Sequence, residues 1–314
     1  MASIYVSIPS MNDNELIPSL KNCIHQASKN NTINIGVAFS TFNEESYLDY
    51  YLHETSKLDS VKFKYFHPEQ SLGVGAARKN AYSFYDEEDY LLQIDAHSFF
   101  KKNWDIELIE KLNYSKNKYG KSILTCYPAP YSYQDGGRIL HNGWSTVTTE
   151  IHDGVLSDYR YDSGNEGFWD FLPNWNSPSR KKFFDDYEKI LKISAGFMFG
   201  DKDFAKDYID LIPYEYMFFE EEIIVTSELL SKGYDLIAPS NIPIAHLYSS
   251  DMDEDCGREG LDPKRLYKND IQVKNNFYNY CYNNRDKINL LNKRLGIDMF
   301  KIIEKSKKRI TNDN

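Results

Sequence analysis

The chain is expected to fold as an α/β protein on a mostly parallel sheet with flanking helices, followed by a helical extension. Three observations point that way. Short apolar runs alternate with helix-period segments through about the first 130 residues, the order that strand–helix–strand units produce. Beyond His246 the chain turns polar and charged, and Lys274–Arg309 carries helical spacing rich in Asn and Lys. The length of 314 residues, 41% of them hydrophobic, suits one large domain or two modest ones with a sizeable core. The expected division is a main domain over residues 1–250 and an extension over residues 251–314.

The elements follow in order. Ile4–Ile8 is a β-prone run that stops at Pro9. Asp13 or Asn14 then caps a helix carrying Leu16, Leu20, Ile24 and Ala27 near helical spacing. Ile33–Ser40 reads as a buried strand, and Val61–Phe66 alternates apolar and basic residues as a half-exposed strand does. Gly73-Val74-Gly75 breaks the chain before a helix over Ala76–Tyr85. Tyr90–Ile94 is an apolar strand that stops at Asp95. Trp104–Leu112 is helical and Ser122–Tyr127 strand-like. Pro128–Arg180 differs: rich in Gly, Asn, Asp, Ser, Tyr and Trp, it lacks periodicity, and so long a segment is functional or hides short strands. Ile193–Phe199 returns to a strand pattern. Asp201–Leu211 and Glu220–Lys232 are helical, Gly233 is a C-cap, and Tyr234–Ala238 is a closing strand.

Composition narrows the classes. The aromatic fraction is 15%, with 25 Tyr and 18 Phe, which argues against long disorder. The net charge of −10 disfavours a broad nucleic-acid surface, since phosphate contacts need clustered Lys and Arg; a local basic groove is still compatible with it. The opening MASIYVSIPS lacks the pattern of a signal peptide, and no run approaches the ~18 apolar residues of a spanning helix. Cys23, Cys126, Cys256 and Cys281 are widely spaced without a CxxC pair, so reduced thiols and a cytoplasmic location are expected.

Four features could carry chemistry, and each has a plainer alternative. Leu91-Leu92-Gln93-Ile94-Asp95-Ala96-His97 delivers an acid and a histidine at the carboxyl end of a strand, where ligands of open α/β sheets bind. A carboxylate oxygen and an imidazole nitrogen suit a divalent ion such as Mn²⁺, which would hold a diphosphate. The alternative is a turn cap and a buried, hydrogen-bonded ring. Gly73 and Gly75 let backbone approach a ligand, the helix start behind them favours an anion, and Arg78 adds a cation able to fork a phosphate. The segment is neither a dinucleotide fingerprint nor a P-loop, and an ordinary strand-to-helix turn explains it as well. Glu220, Glu221 and Glu222 suit the dipole of a helix start, or else one of them points into a cleft. His246, flanked by apolar residues, is a core residue unless it meets Asp95 and His97 in space.

Together, GVGAARKNA, QIDAH, ISAGFMFG (193–200), FFEEEI (218–223), KGYDLIAP (232–239) and HLY (246–248) resemble, in order, the UDP-GlcNAc-type polypeptide α-N-acetylglucosaminyltransferases, glycosyltransferase family 60. The resemblance spans roughly residues 1–250. It implies a GT-A, Rossmann-like nucleotide-sugar fold, a UDP-sugar donor, Mn²⁺ or Mg²⁺, and transfer to a protein hydroxyl with retention of configuration. It places Asp95, His97 and His246 at the metal, and Arg78, Gly73, Gly75 and Asp95 at the donor. Glu221 and Glu222 fall, with Asp95, among the catalytic groups, at sugar and acceptor. One departure is visible: Glu220 stands where a small residue, usually Gly, is expected.

Strand patterns and the resemblance divide the aromatic residues. Phe39, Tyr65, Phe66, Phe197 and Phe199 are core candidates. Tyr127, Tyr131, Tyr133, Trp144, Tyr159, Trp169 and Trp175 would form an acceptor platform. Similar bacteriophage enzymes act on hydroxymethylated pyrimidines in DNA, so a DNA acceptor is the alternative; a basic stripe including Arg138 or Arg160 would favour it. A non-catalytic sugar- or nucleotide-binding module and a nucleotidyltransferase are the readings from other classes.

Overall fold

The computed structural model describes residues 1–41, 45–67, 73–135, 137–146, 148–149, 181–182, 186–211, 219–248 and 270–312. The N-terminal part runs β1 (Ser3–Met11), α1 (Leu16–Gln26), β2 (Thr32–Ser40), α2 (Glu45–Thr55), β3 (Val61–Tyr65), α3 (Val74–Tyr82) and β4 (Tyr90–Ile94). β1 pairs in parallel with β2 and β4, and β2 with β3, which is the expected βα alternation. β1 runs on through Pro9 to Met11 because its pairing with β2 continues that far, while its pairing with β4 stops at Ser7. Pro9 therefore sits where β1 has one neighbour left, so its missing N–H leaves no ladder bond with β4 unmade.

The chain continues through β5 (Ser98–Phe100), α4 (Trp104–Tyr119), β6 (Ser122–Thr125), β7 (Ala129–Gln134), β8 (Gly137–Trp144), β9 (Thr148–Thr149), β10 (Lys181–Lys182), β11 (Tyr187–Lys189), β12 (Phe197–Asp201), α5 (Lys202–Ile209), α6 (Phe219–Ser231), β13 (Asp235–Pro239) and β14 (Ile244–Leu247). The main sheet has the order β11-β13-β6-β12-β4-β1-β2-β3, and a four-stranded sheet has the order β5-β14-β7-β8. The fold is α/β as expected, and the main sheet is mostly parallel, with two exceptions. β12 lies antiparallel between β4 and β6, and β11 antiparallel to β13. Antiparallel neighbours need no helical crossover, and β12 is entered through a turn at Ala195-Gly196. That turn is why the strand begins at Phe197 and not at Ile193.

Alternation along each strand explains the layers. Ile4, Val6, Ile8, Leu92, Ile94, Phe197 and Phe199 face one way and pack with Leu16, Leu20, Trp104, Leu108 and Leu112 of α1 and α4. Tyr5, Leu91, Met198 and Leu236 face the other way, against Tyr82, Phe204, Tyr208, Val225 and Leu229 of α3, α5 and α6. Both faces of the sheet are thus covered, as the apolar strand runs require. Phe39 is buried with them, while Tyr65 and Phe66 are partly buried.

Past residue 250 the described chain forms α7 (Asp270–Asn283), α8 (Arg285–Leu295) and α9 (Met299–Asn312). These helices share a core with α6 through Ile223, Ile224, Phe277, Leu291, Met299 and Ile303. Helix α6 is therefore apolar toward the sheet and toward the extension. The Pro128–Arg180 segment does hide strands, the β7–β8 hairpin among them; Tyr159, Arg160, Trp169 and Trp175 lie outside the described residues. Cys23, Cys126 and Cys281 are buried and free, and Cys256 lies outside the described residues. No helix among the described residues is long and apolar enough to cross a membrane.

Candidate active site

The edge where β1 and β4 end collects the candidate residues. β4 stops at Ile94, so Asp95 emerges at its carboxyl end, and after one residue His97 leads into β5. β5 pairs antiparallel with β14 in a register that sets Ser98 opposite His246. The backbone N–H of Leu247 donates to the carbonyl of His97 at 3.1 Å, which fixes the two histidine-bearing segments side by side. Strand pairing therefore joins residues 149 apart in the chain: Nε2 of His97 lies 3.1 Å from Nε2 of His246. Nε2 of His246 in turn lies 3.1 Å from Oδ2 of Asp95. One potential ligand atom from each of Asp95, His97 and His246 falls within 4.8 Å of the others, and all three residues are half-buried.

Electrostatics favour an ionised acid at Asp95 and a neutral ring at His246. Burial alone would raise the Asp95 carboxyl, but the hydrogen bond with His246 and the charges of His97 and Arg78 hold it well below the usual range. Burial also opposes charge on both imidazoles. In His246 burial and the neighbouring His97 lower the pKa, whereas in His97 the carboxylate of Asp13 reverses the effect and raises it.

Hydrogen-bond geometry tests whether a cation fits here, the tautomers being assigned from it. Nδ1 of His97 lies 2.7 Å from Oδ2 of Asp13, so Nδ1 carries the proton and Nε2 offers a lone pair. That lone pair, Nε2 of His246 and Oδ2 of Asp95 converge. A single proton on Nε2 of His246 cannot point at both neighbours, so one of the two contacts lacks a hydrogen. Two imidazole nitrogens and one carboxylate oxygen are a donor set that a borderline divalent ion such as Mn²⁺ accepts. The residues fit such an ion.

Arg78, on α3, is buried beside this cluster. Its guanidinium pairs with Glu221, donates to the carbonyl of Ala195 at 3.3 Å and lies 3.9 Å from Oδ1 of Asp95. Burial opposes its charge, but Glu221 and Asp95 hold the pKa above the ordinary arginine value. Gly73 has φ +92° and caps the N-terminal end of α3, and Gly75 is buried in its first turn. Glu221 is itself buried, which pushes its carboxyl up against the pull of Arg78. Glu222 pairs with Lys192 and accepts the N–H of Ala195 at 2.9 Å. Glu220 is fully buried. The acids at the start of α6 thus reach Asp95 and its two histidines through Ala195, whose N–H goes to Glu222 and whose carbonyl accepts from Arg78 and from Gln93 at 2.6 Å.

Four residues of this arrangement were not singled out from the sequence. Asp13 or Asn14 was expected to cap α1; the N-cap is instead Glu15, without a side-chain cap bond, while Oδ1 of Asp13 accepts the N–H of Glu15 at 2.9 Å and its Oδ2 serves His97. The parallel pairing of β1 with β4 was the available signal, because loops after parallel neighbours open at one edge. Lys192, Gln93 and Gly196 carry no local signature. A Cβ on Gly196 would lie 2.8 Å from Oδ2 of Asp95, so a glycine is what lets that carboxylate sit against the turn.

Four of the aromatic residues expected at the platform are described, on or next to the small sheet. Tyr131 is fully buried, Tyr133 is 45% exposed, and Trp144 stacks on Phe99 at 5.9 Å between centroids. Tyr127 accepts from Lys192 at 3.0 Å. Arg138 lies over the rings of Phe99, Tyr131 and Tyr133 and pairs with Glu15 at 2.8 Å.

With this geometry in view, the comparisons with known proteins become informative. The chain resembles GalNAc-T7 in its crystal structure with UDP, GalNAc and Mn²⁺, with a TM-score of 0.53 and 16% identity over 99% of this chain and 58% of that one. It also aligns with S. aureus TarS 1-349 in complex with UDP-GlcNAc, with a TM-score of 0.48 and 13% identity over 94% of this chain and 72% of that one. The GalNAc-T7 likeness establishes a shared GT-A fold. No curated protein matches the sequence. The family model Glycosyltransferase (GlcNAc) matches residues 51–256, which include Arg78, Asp95, His97, Glu221, Glu222 and His246. Matched over more than half its length, the chain belongs to the Glycosyltransferase (GlcNAc) family, whose chemistry is sugar transfer.

Proposed function

We propose that the protein is a metal-dependent, retaining glycosyltransferase that moves GlcNAc or another hexose from a UDP-sugar to a hydroxyl of a protein Ser, Thr or hydroxyproline. The observation that carries this reading is the convergence of Asp95, His97 and His246 at the carboxyl edge of a nucleotide-sugar fold. GalNAc-T7, whose structure holds UDP and Mn²⁺, shares that fold and supports the choice of donor class and metal class.

A divalent ion held by Asp95, His97 and His246 would neutralise the diphosphate as it leaves. Gly73 and Gly75 let the α3 terminus approach the phosphates. Arg78 adds positive potential there while it stays paired with Glu221. Glu222, Gln93 and Arg78 hold the Ala195 turn, and with it the wall against which Asp95 rests. In the transfer the bond between the anomeric carbon and the β-phosphate oxygen breaks. The acceptor oxygen bonds to that carbon on the same face, and the acceptor proton passes to the departing phosphate.

A DNA acceptor asked for a basic stripe. Arg138 is engaged by Glu15 and does not supply it, and Arg160 lies outside the described residues. The protein acceptor is therefore preferred. The experiment is a screen of labelled UDP-sugars with Mn²⁺ against host protein extract and hydroxymethylated DNA. Transfer that EDTA abolishes and that Asp95→Ala lacks, with the fold intact by circular dichroism, is expected. Full activity in excess EDTA, or wild-type transfer by Asp95→Ala, would overturn the metal-dependent mechanism.

A further inference from the structure

Between β1 and α1 lies a short loop that neither the metal ligands nor the donor-binding groups include. Asn12 takes φ +49°, a left-handed conformation that Asn tolerates better than most residues. Its N–H donates to the carbonyl of Ser40 at 2.7 Å, and its side chain accepts the Thr41 hydroxyl at 3.0 Å. The chain turns sharply there and brings Asp13 under the metal cluster. Further bonds hold the loop: the Tyr51 hydroxyl donates to the Asp13 carbonyl at 2.8 Å, and that carbonyl also accepts the N–H of Leu16 at 3.2 Å.

The Asp13 side chain is 9% exposed. A carboxylate so placed is costly unless its oxygens are satisfied. One oxygen takes the N–H of Glu15. The other takes Nδ1 of His97 at 2.7 Å, across 84 residues of sequence. A local turn before α1 accounts for the first contact and not for the second. The second sets which nitrogen of His97 holds the proton, and it turns the ring so that Nε2 faces His246 and Asp95. His246 has no such support among the described residues: its Nδ1 is buried there without a hydrogen-bond partner.

We propose that Asp13 is a positioning residue for the metal centre. It fixes His97 in the Nδ1–H tautomer, increases the basicity of Nε2, and makes His97 the firmly oriented imidazole of the two. A carboxylate behind a ligating histidine commonly adjusts metal affinity by roughly 10- to 100-fold. This rests on the metal site proposed above, and the experiment separates the two.

The test is a titration of the full chain with Mn²⁺ in the presence of UDP, followed by the electron paramagnetic resonance signal of free Mn²⁺. Pulsed measurement of nitrogen couplings to the bound ion accompanies it. Wild type, Asp13→Ala, Asp13→Asn, Tyr51→Phe and Asp95→Ala are compared after circular dichroism shows each folded. Asp13→Ala is expected to weaken Mn²⁺ binding by roughly 10- to 100-fold and to reduce one imidazole coupling. Asp13→Asn, which keeps an acceptor for Nδ1–H, recovers part of the loss. Tyr51→Phe, which disturbs the same loop without touching the carboxylate, leaves affinity unchanged. Wild-type affinity and couplings in Asp13→Ala, with binding lost in Asp95→Ala, would overturn the role of Asp13 and leave the metal site standing. An equal loss in Tyr51→Phe and Asp13→Ala, with no recovery in Asp13→Asn, would reduce Asp13 to a loop-folding residue and overturn the proposal. No Mn²⁺ binding by wild type would overturn the metal site itself, and Asp13's role with it. Should Asp13→Ala not fold, Asp13→Asn decides alone: a weakened affinity supports the role, and wild-type affinity with wild-type couplings rejects it.

Discussion

Arg78 and Glu221, 143 residues apart in the chain, form a buried ion pair that ties α3 to α6 directly behind Asp95. The pair joins two halves of the site that the sequence presents as separate motifs. It also explains why Glu221 tolerates burial: its charge is compensated by a guanidinium that does not deprotonate.

Removing one partner of such a pair leaves the other charge uncompensated, which typically costs about 3–5 kcal/mol. Glu221→Ala is expected to fall toward the lower end of that range, because Arg78 keeps Asp95 and the Ala195 carbonyl nearby. Urea unfolding measures it, and a change below about 1 kcal/mol would show that the pair contributes little to stability.

Gly196→Ala isolates the turn behind Asp95. The new Cβ would sit 2.8 Å from Oδ2 of Asp95, the oxygen that faces His246, so the carboxylate must rotate away. Thermal stability is expected to shift little, while Mn²⁺ affinity and transfer fall on the order of tenfold or more. The pairing of a melting curve with kcat/KM checks this. A large drop in melting temperature with unchanged activity per folded molecule would contradict it.

Leu291 of α8 is fully buried in the core that the C-terminal helices share with α6. Nearby, Glu228 of α6 pairs with Lys287 and accepts from the Tyr280 hydroxyl at 2.8 Å. Leu291→Ala is expected to destabilise the protein by about 2–5 kcal/mol. Because α6 belongs to both cores, urea unfolding followed by circular dichroism and by tryptophan fluorescence should give one transition. Two separated transitions would show that the extension melts as its own unit.

Local sequence determined the local elements. Apolar runs of strand length marked β1, β2 and β4, and apolar–basic alternation marked β3. The stop of β4 before Asp95 was legible because Asp95 is the first charged residue after an apolar run. Helical spacing marked α1, α4, α5 and α6, although α4 runs on to Tyr119, through a polar stretch whose few buried positions give a weak apolar stripe. The order of the motifs was enough to suggest the family and the three metal candidates. What the sequence could not say was which charged groups meet, since that depends on strand order and register. The antiparallel entry of β12, the register of β5 against β14, and the shared carboxyl edge of β1 and β4 are choices among tertiary pairings of similar local propensity. Those choices turned Asp13 from an expected helix cap into a partner of His97, and Glu221 and Glu222 from a helix-start cluster into ion-pair partners of Arg78 and Lys192. They also turned Arg138 from a free cation into a partner of Glu15. Hydrophobic periodicity acts over a few residues and is written in the chain, whereas a buried charge must be neutralised by whatever the completed fold brings within hydrogen-bond distance.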